Sequence, residues 1–427
     1  MLKHKIYLVI YLFLIIFAPP VIPINIVILI ASFTLLIILI NYRSKAIDML
    51  RASSIKHFIL LLAIAVVYIL FVIGSNIIFF SGDYYVNYIT SIYRIVILII
   101  MQLICITYVL LFCQKYKLSL RDILVSIVSA GAIQSLIALA ALLFPSFKNL
   151  LIEVMIINTG STAFFNENSY SYAYTYRYYG FSATLLDTFG YGTGIIAIIS
   201  VFLAFKYNLG YLILFPICVI APFLNSRTGL LVILVGLILL LPVLFKRFSL
   251  LRIIKVFILT IFAIITSVIL YNILTKISPN TVHWVIDGFE SIFNFVRGES
   301  YDRYSTADNL FSDDFWSLPP DLFFVFGAGH TVYGIKELGF HSDVGYINLL
   351  WLGGIIGLIL ILIPFIYLFI KSLIGSKNNS NIYLVLFIIC SFFITMIKAD
   401  LIGYNSGTIL VLLICFSIIN NKSQEGR

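Results

Sequence analysis

Apolar runs, each 15 to 28 residues long, follow one another along most of this 427-residue chain. A bilayer's hydrocarbon core takes roughly 20 helical residues to cross. Lipid offers the backbone no hydrogen-bond partner, so runs of this kind fold as helices. Composition agrees: 62% of residues are hydrophobic and 11% charged, against about 45–50% and about 25% in soluble domains. The chain therefore reads as an all-α polytopic membrane protein forming a single integral membrane domain. Twelve spans are expected, at 6–20, 21–40, 57–80, 92–114, 122–144, 187–205, 207–224, 228–245, 254–273, 343–370, 382–399 and 405–420.

The N-terminal stretch MLKHKIYLVIYLFLIIFAPP imitates a signal peptide, with a basic start and a short apolar core. Prolines 19, 20 and 23 follow without a small-residue cleavage pattern, and another apolar run begins at once. A first transmembrane hairpin is the better reading.

The formal net charge is +9. Its basic residues sit in short loops between apolar runs, as topology signals do, which argues against a nucleic-acid partner. Of 27 lysines and arginines, 18 fall at the two ends or in the even-numbered connections, leaving 9 on the other side. Of the 18 acids, 15 lie opposite that basic side. The positive-inside rule makes the basic side cytoplasmic and places both termini there. The five cysteines all fall in or beside apolar spans, so neither disulfides nor a zinc site is expected.

Two outer loops are long, 145–186 and 274–342. Connections of that length are usually functional or disordered. The second carries Trp284, Phe289, Phe293, Phe295, Phe311, Phe315 and Trp316 at near-helical spacings. It reads as a cap of short amphipathic helices lying partly on the membrane. The sequence shows no internal repeat, a mild argument against a secondary transporter.

Titratable groups gather at this outer side. His341 and Asp343 lie where the cap loop returns to the tenth span. Arg227 is in the tight turn FLNSRTGLLVI, Arg177 precedes the sixth span in YTYRYYGFSATLLD, and Arg303 is inside the cap in SYDRYSTADNLF. Any one of these could simply snorkel or be solvated. The three arginines and the histidine together, on one face of so uncharged a chain, are candidates for function. Arginine cannot act as a base, but it binds phosphate bidentately. Histidine accepts a proton near neutral pH. Together they describe a site that holds a phosphate or pyrophosphate leaving group, with His341 as general base for an attacking hydroxyl. Asp343 could orient the imidazole, which needs non-helical backbone at Ser342, or serve as the base itself. It could equally cap the tenth helix, the reading we favour.

The stretch YSYAYTYRYY holds six tyrosines in ten residues. In an extended segment the alternating ones, Tyr174, Tyr176 and Tyr178 among them, share a face. That face is either an interfacial aromatic belt or a platform for sugar rings beside Arg177. No HExxH occurs, and His283, His330 and His341 lack zinc spacing. Asp313 and Asp314 read as a solvated acidic turn rather than a cation site. The glycines of VFGAGHTVYG follow a proline pair in an outer loop and do not open a nucleotide-binding helix.

In this order the residues resemble bacterial O-antigen and capsular polysaccharide polymerases and, more distantly, O-antigen ligases. The matching marks are R-x-x-G-F at Arg177–Phe181, S-R-T-G at Ser226–Gly229, Arg303 followed by G-x-G at Gly327 and Gly329, and His341 ahead of GGIIG at Gly353–Gly357. They span about the last 250 residues. Two features depart from the commoner pattern. Arg177–Phe181 is followed by SATLLD rather than a polar Pro-Asn, and His341 is followed by Ser342–Asp343 where ligases more often have asparagine. The second leans toward a polymerase.

The resemblance implies a GT-C-like, metal-independent glycosyltransferase in the bacterial inner membrane, with no cofactor. It implies undecaprenyl-pyrophosphate-linked oligosaccharide as both donor and acceptor, with Arg177, Arg227 and Arg303 on the pyrophosphate. A chain-length regulator protein is a further expected partner. A ligase-type transferase is the alternative enzyme, and a flippase for lipid-linked sugars the alternative from another class. A transporter would bury its charges at mid-span, whereas here they collect at the outer lip.

Overall fold

The computed structural model describes residues 2–19, 26–52, 54–80, 97–159, 177–182, 186–245, 271–277, 313–332, 342–376, 380–402 and 406–425, with scattered positions between 268 and 297. It is all-helical, with no strand among the described residues. In chain order the helices are α1 (Leu2–Phe17), α2 (Ile26–Asn41), α3 (Arg43–Ala52), α4 (Ser54–Phe80), α5 (Ile99–Lys115), α6 (Leu120–Leu143), α7 (Pro145–Thr159) and α8 (Leu186–Lys206). Then come α9 (Leu214–Asn225), α10 (Arg227–Phe245), α11 (Asp321–Phe326), α12 (Gly345–Ser376), α13 (Asn381–Thr395) and α14 (Ser406–Glu425).

Among the described residues, four segments are long and apolar enough to cross a membrane: Ser54–Asn76, Leu120–Leu143, Asp187–Lys206 and Gly345–Ser376. Shorter apolar helices, including α2, α5 and α13, fall on other expected spans. Such a set is compatible with a multi-pass membrane protein. Most of the ninth expected span and much of the 274–342 cap, including five of its seven cited aromatics, lie outside the described residues.

Helix α8 is the hub. It packs against α6, α9, α10, α13 and α14, and 89% of its apolar window is buried. A helix apolar all round belongs in the middle of a large assembly. Its close neighbours are admitted by small residues. A Cβ on Gly194 would stand 2.8 Å from the Gly229 carbonyl oxygen, and one on Gly229 would stand 2.6 Å from Pro222 Cβ. Small residues let backbones approach in this way where lipid supplies no hydrophobic push between helices.

The two ends of the bundle differ chemically. At one end Lys5 pairs with Asp122 at 2.6 Å, and Lys206 Nζ donates to Asn381 Oδ1 at 2.5 Å. Arg121 donates to the Tyr211 hydroxyl at 3.0 Å, and Lys115 sits over the Tyr42 ring. A capping box at Ser119 and Asp122 starts α6 there. The opposite end carries the Arg177 segment, the Asn225–Gly229 turn and the start of α12. All five cysteines are free thiols; four are buried and Cys390 is partly so.

Helix α12 is broken. Gly354 has φ +63° and ψ −169° inside it, a conformation open essentially to glycine alone. The break is filled by the chain leaving α11, which turns through Gly327 (φ +89°) and Gly329 (φ +80°). The Ala328 N–H donates to the Trp351 carbonyl at 2.7 Å, an acceptor that Ile355 would use in an unbroken helix. The Trp351 indole donates to the Ser317 carbonyl at 3.0 Å, and the Tyr68 hydroxyl of α4 to the Phe326 carbonyl at 3.2 Å. A Cβ on Gly327 would lie 2.5 Å from Gly353 Cα. The G-x-G and GGIIG marks of the sequence are thus two halves of one interlock.

Candidate functional site

Arg177 opens a short extended stretch that runs to Ser182 and is docked on the bundle by polar side chains. The Tyr178 N–H donates to Asn225 Oδ1 at 2.6 Å, and Asn225 Nδ2 returns a bond to the Tyr178 carbonyl at 2.7 Å. Asn225 also donates to the Ala221 carbonyl at 2.7 Å. Gln134, fully buried on α6, donates to the Tyr179 carbonyl at 2.6 Å. The Ser182 hydroxyl reaches the Phe17 carbonyl at the end of α1. Buried backbone polar groups need partners, and two side-chain amides supply them here.

Gly180 explains the glycine of the R-x-x-G-F mark. Its φ is +64°, and a Cβ would stand 2.9 Å from Gln134 Nε2 and 3.2 Å from the Gln134 carbonyl oxygen. The segment can lie against α6 only with hydrogen there.

Arg177 donates to the Tyr179 hydroxyl at 3.0 Å. Two positions past the clamp, Arg227 is the first residue of α10. Beside it the Thr228 hydroxyl donates to Asp187 Oδ1 at 2.5 Å, which ties the head of α10 to the head of α8. The Ser406 hydroxyl donates to the Thr188 carbonyl at 3.1 Å, and Thr408 to the Leu401 carbonyl at 2.5 Å. Gly345 N–H donates to the Met396 carbonyl at 2.9 Å. A continuous series of junctions therefore runs from Arg177 through Asn225, Arg227, Asp187 and Ser406 to the start of α12.

At that start Asp343 lies 3.9 Å from Lys398 Nζ. Ser342 ties this start down: its Oγ accepts from the Val344 N–H at 3.2 Å and donates to the Phe315 carbonyl at 2.6 Å. Asn348 donates to the Ser342 carbonyl at 2.9 Å. The backbone of Ser342 is non-helical. That is the condition under which Asp343 could face His341.

His341, Arg303, Tyr174 and Tyr176 lie outside the described residues. Of the three tyrosines considered for stacking, Tyr178 is described, and it is buried in a cluster with Ala138, Leu142 and Leu224. Its ring serves a packing role, with Lys148 Nζ 4.2 Å from its centre.

The sequence reading passed over several polar residues. Asn225 ends an apolar run and reads as ordinary turn chemistry; its partner is 47 positions away. Asp187 and Lys398 carry no local signal. His330, set aside for lack of zinc spacing, is buried with its ring 5.6 Å from that of Trp351. Its Nδ1 is 3.3 Å from the Thr331 carbonyl oxygen. Burial holds its pKa below the ordinary imidazole value, against the opposing pull of the Thr331 carbonyl.

No family model matches the chain, and no curated protein matches it significantly.

Replacing Asn225 with leucine keeps the volume but strands two backbone groups of Tyr178. Each unsatisfied buried group costs about 1–3 kcal/mol. The Asn225→Leu protein should therefore unfold several degrees lower in detergent. An unchanged melting temperature would mean that the Arg177 segment is not held by this clamp.

Proposed function

We propose that this protein is a metal-independent glycosyltransferase that polymerises oligosaccharide repeat units carried on undecaprenyl pyrophosphate. It works on the outer face of the bacterial cytoplasmic membrane, with 12 spans, a GT-C-like arrangement and both termini inside. The anomeric carbon of the donor is attacked by a hydroxyl of the acceptor unit. The bond from that carbon to the pyrophosphate oxygen breaks, and undecaprenyl pyrophosphate leaves. His341 takes the hydroxyl proton. Arg227 and Arg303, with Arg177 beside them, hold the departing pyrophosphate through charge-assisted, forked hydrogen bonds.

One observation carries most of the support. The Arg177 segment and the Arg227 turn are distant in sequence, yet Asn225 clamps one directly to the other. Two arginines, Arg177 and Arg227, are thereby carried on clamped segments at the bundle end where α12 begins. The resemblance to polymerases in residue order is the second support.

Purified protein given only lipid-linked repeat units is expected to build a ladder of longer lipid-linked glycans. It should release one undecaprenyl pyrophosphate per bond formed. A requirement for a separate lipid or protein acceptor would identify a ligase instead. Movement of the units across a vesicle membrane with no new glycosidic bond would identify a transporter.

A further inference from the structure

The chain between Phe315 and Val332 descends beside α12 and comes back. It starts level with the head of α12, where the Ser342 hydroxyl donates to the Phe315 carbonyl at 2.6 Å. It is deepest at Gly327 and Ala328, against Trp351, Gly353 and Gly354. It has returned by Val332, which is buried in one cluster with Val344 and Ile347. From Gly345 to Gly353 a helix rises about 12 Å, and the hairpin descends by that much. Two helices show where its deepest point falls in a bilayer. The His57 ring meets the Tyr367 ring, with centroids 5.9 Å apart, so the start of α4 and the end of α12 share a level. Lys371, exposed four residues beyond Tyr367, marks the basic face. Tyr68 lies eleven residues past His57 in the opposite direction. At about 1.5 Å per residue it stands about 22 Å from the level of Lys371, inside a hydrocarbon core about 30 Å thick. The Tyr68 hydroxyl donates to the Phe326 carbonyl at 3.2 Å, and its ring edge faces Gly353 and Gly357. The end of α11 therefore lies within the hydrocarbon rather than on its surface.

The surface of α11 fits that depth. After Asp321 every residue of it is apolar, and none is buried. Leu322 is 72% exposed, Phe326 51%, and Phe324 is exposed as well. A helix that is apolar all round, and that protein does not enclose, belongs in lipid. Its exposed face continues that of α4, where Val67 beside Tyr68 is 67% exposed and Phe71 70%. The backbone of the turn is meanwhile satisfied by protein. The Gly327 N–H donates to the Phe323 carbonyl at 2.8 Å and the Ala328 N–H to the Trp351 carbonyl at 2.7 Å, while Tyr68 serves the Phe326 carbonyl. Non-helical backbone is tolerated at membrane depth only when its groups are supplied in this way. Asp321, the charged residue of α11, stands at its upper end, toward water. We infer that residues 315–332 form a re-entrant hairpin whose α11 side is seated among the acyl chains of the nearer leaflet, anchoring the 274–342 loop in the bilayer. This seating is independent of the reaction proposed above.

The test is nitroxide accessibility in the full chain, reconstituted in vesicles of phosphatidylcholine and phosphatidylglycerol. Labels go on Phe326→Cys and Leu322→Cys. Val67→Cys on α4 is the lipid reference and Lys45→Cys on α3 the water reference. Wild type, whose thiols are buried or partly so, gives the background labelling. Collisions with oxygen, which dissolves in lipid, are compared with collisions with a water-soluble nickel chelate. The oxygen-to-nickel ratio at Phe326→Cys should match that at Val67→Cys. Leu322→Cys, about 6 Å higher along α11, should fall between Phe326→Cys and Lys45→Cys. A ratio at Phe326→Cys equal to that at Lys45→Cys would put α11 in water and overturn the inference. Few collisions with either reagent would mean a protein cover, from the rest of the loop or a second copy, and would overturn it equally. Phe326→Trp keeps an apolar ring and gives a second reading should the cysteine variant fail to fold. The emission it adds to that of wild type should be quenched by dibrominated phosphatidylcholine. Added emission that the bromines leave unchanged would also overturn the seating in lipid.

Discussion

Purified His341→Gln protein, supplied with lipid-linked repeat units, is expected to make polymer roughly 10²–10⁴-fold more slowly than wild type, the usual contribution of a positioned base. Glutamine can still hydrogen-bond to the acceptor but is a far poorer base. The next residue along is tightly held: Ser342 is bonded to Phe315, Val344 and Asn348. The substitution should insert and fold normally. Neutral imidazole is the active form, so wild-type rate should fall as pH drops through the ordinary histidine range, about 6.5. Nearby arginines would move that midpoint down and an ionised Asp343 would move it up. Asp343 also faces Lys398 at 3.9 Å, which divides its influence. A near wild-type rate in His341→Gln would reduce the histidine to positioning the acceptor and make Asp343 the next base to test.

The second large effect is on folding. Gly354→Ala should lose on the order of 3 kcal/mol of stability or more, combining a forbidden backbone conformation with a backbone clash. Its Cβ would collide with the Val325 carbonyl and stand 2.6 Å from the Gly327 nitrogen. Both are main-chain atoms and cannot turn aside. The neighbouring Gly353→Ala is the control. Its Cβ would meet Ile69 at 3.6 Å and Tyr68 at 3.8 Å, ordinary contacts, and its stability should stay within about 1 kcal/mol of wild type. Thermal unfolding of both proteins in one detergent measures the difference. Equal melting temperatures would show that the two halves of the interlock do not need to touch.

Sequence reading reached the helices because lipid leaves apolar runs so few alternatives. It also picked out Gly180, Gly327, Gly329 and Gly353–Gly357 as marks, without their reason. That reason is steric and nonlocal: Gly180 meets Gln134, and Gly327 meets Gly353, from parts of the chain that periodicity cannot connect. The GGIIG stretch looks like continuous helix because its adjacent pair, Gly353 and Gly354, costs only about 2 kcal/mol in helix propensity. Whether such a pair breaks depends on what arrives from outside, here Ala328. The Ser342 hydroxyl also reaches the Val344 N–H, a contact that residue type alone did not single out.

Helix α14 follows every other described helix in the chain, yet Ile409 through Cys415 have no exposed surface at all. It packs on α8, α12, α6, α5, α4, α1 and α13. During synthesis those helices must therefore wait, side by side in lipid, with a vacancy down their middle. The bundle is closed by a late-arriving central post rather than by an outer wall. A ribosome that stalls before about residue 406 leaves Tyr191 and Gly192 of α8 without their Gly407 and Ser406 neighbours. Quality control that senses polar or small-residue stripes in lipid has until that moment to act.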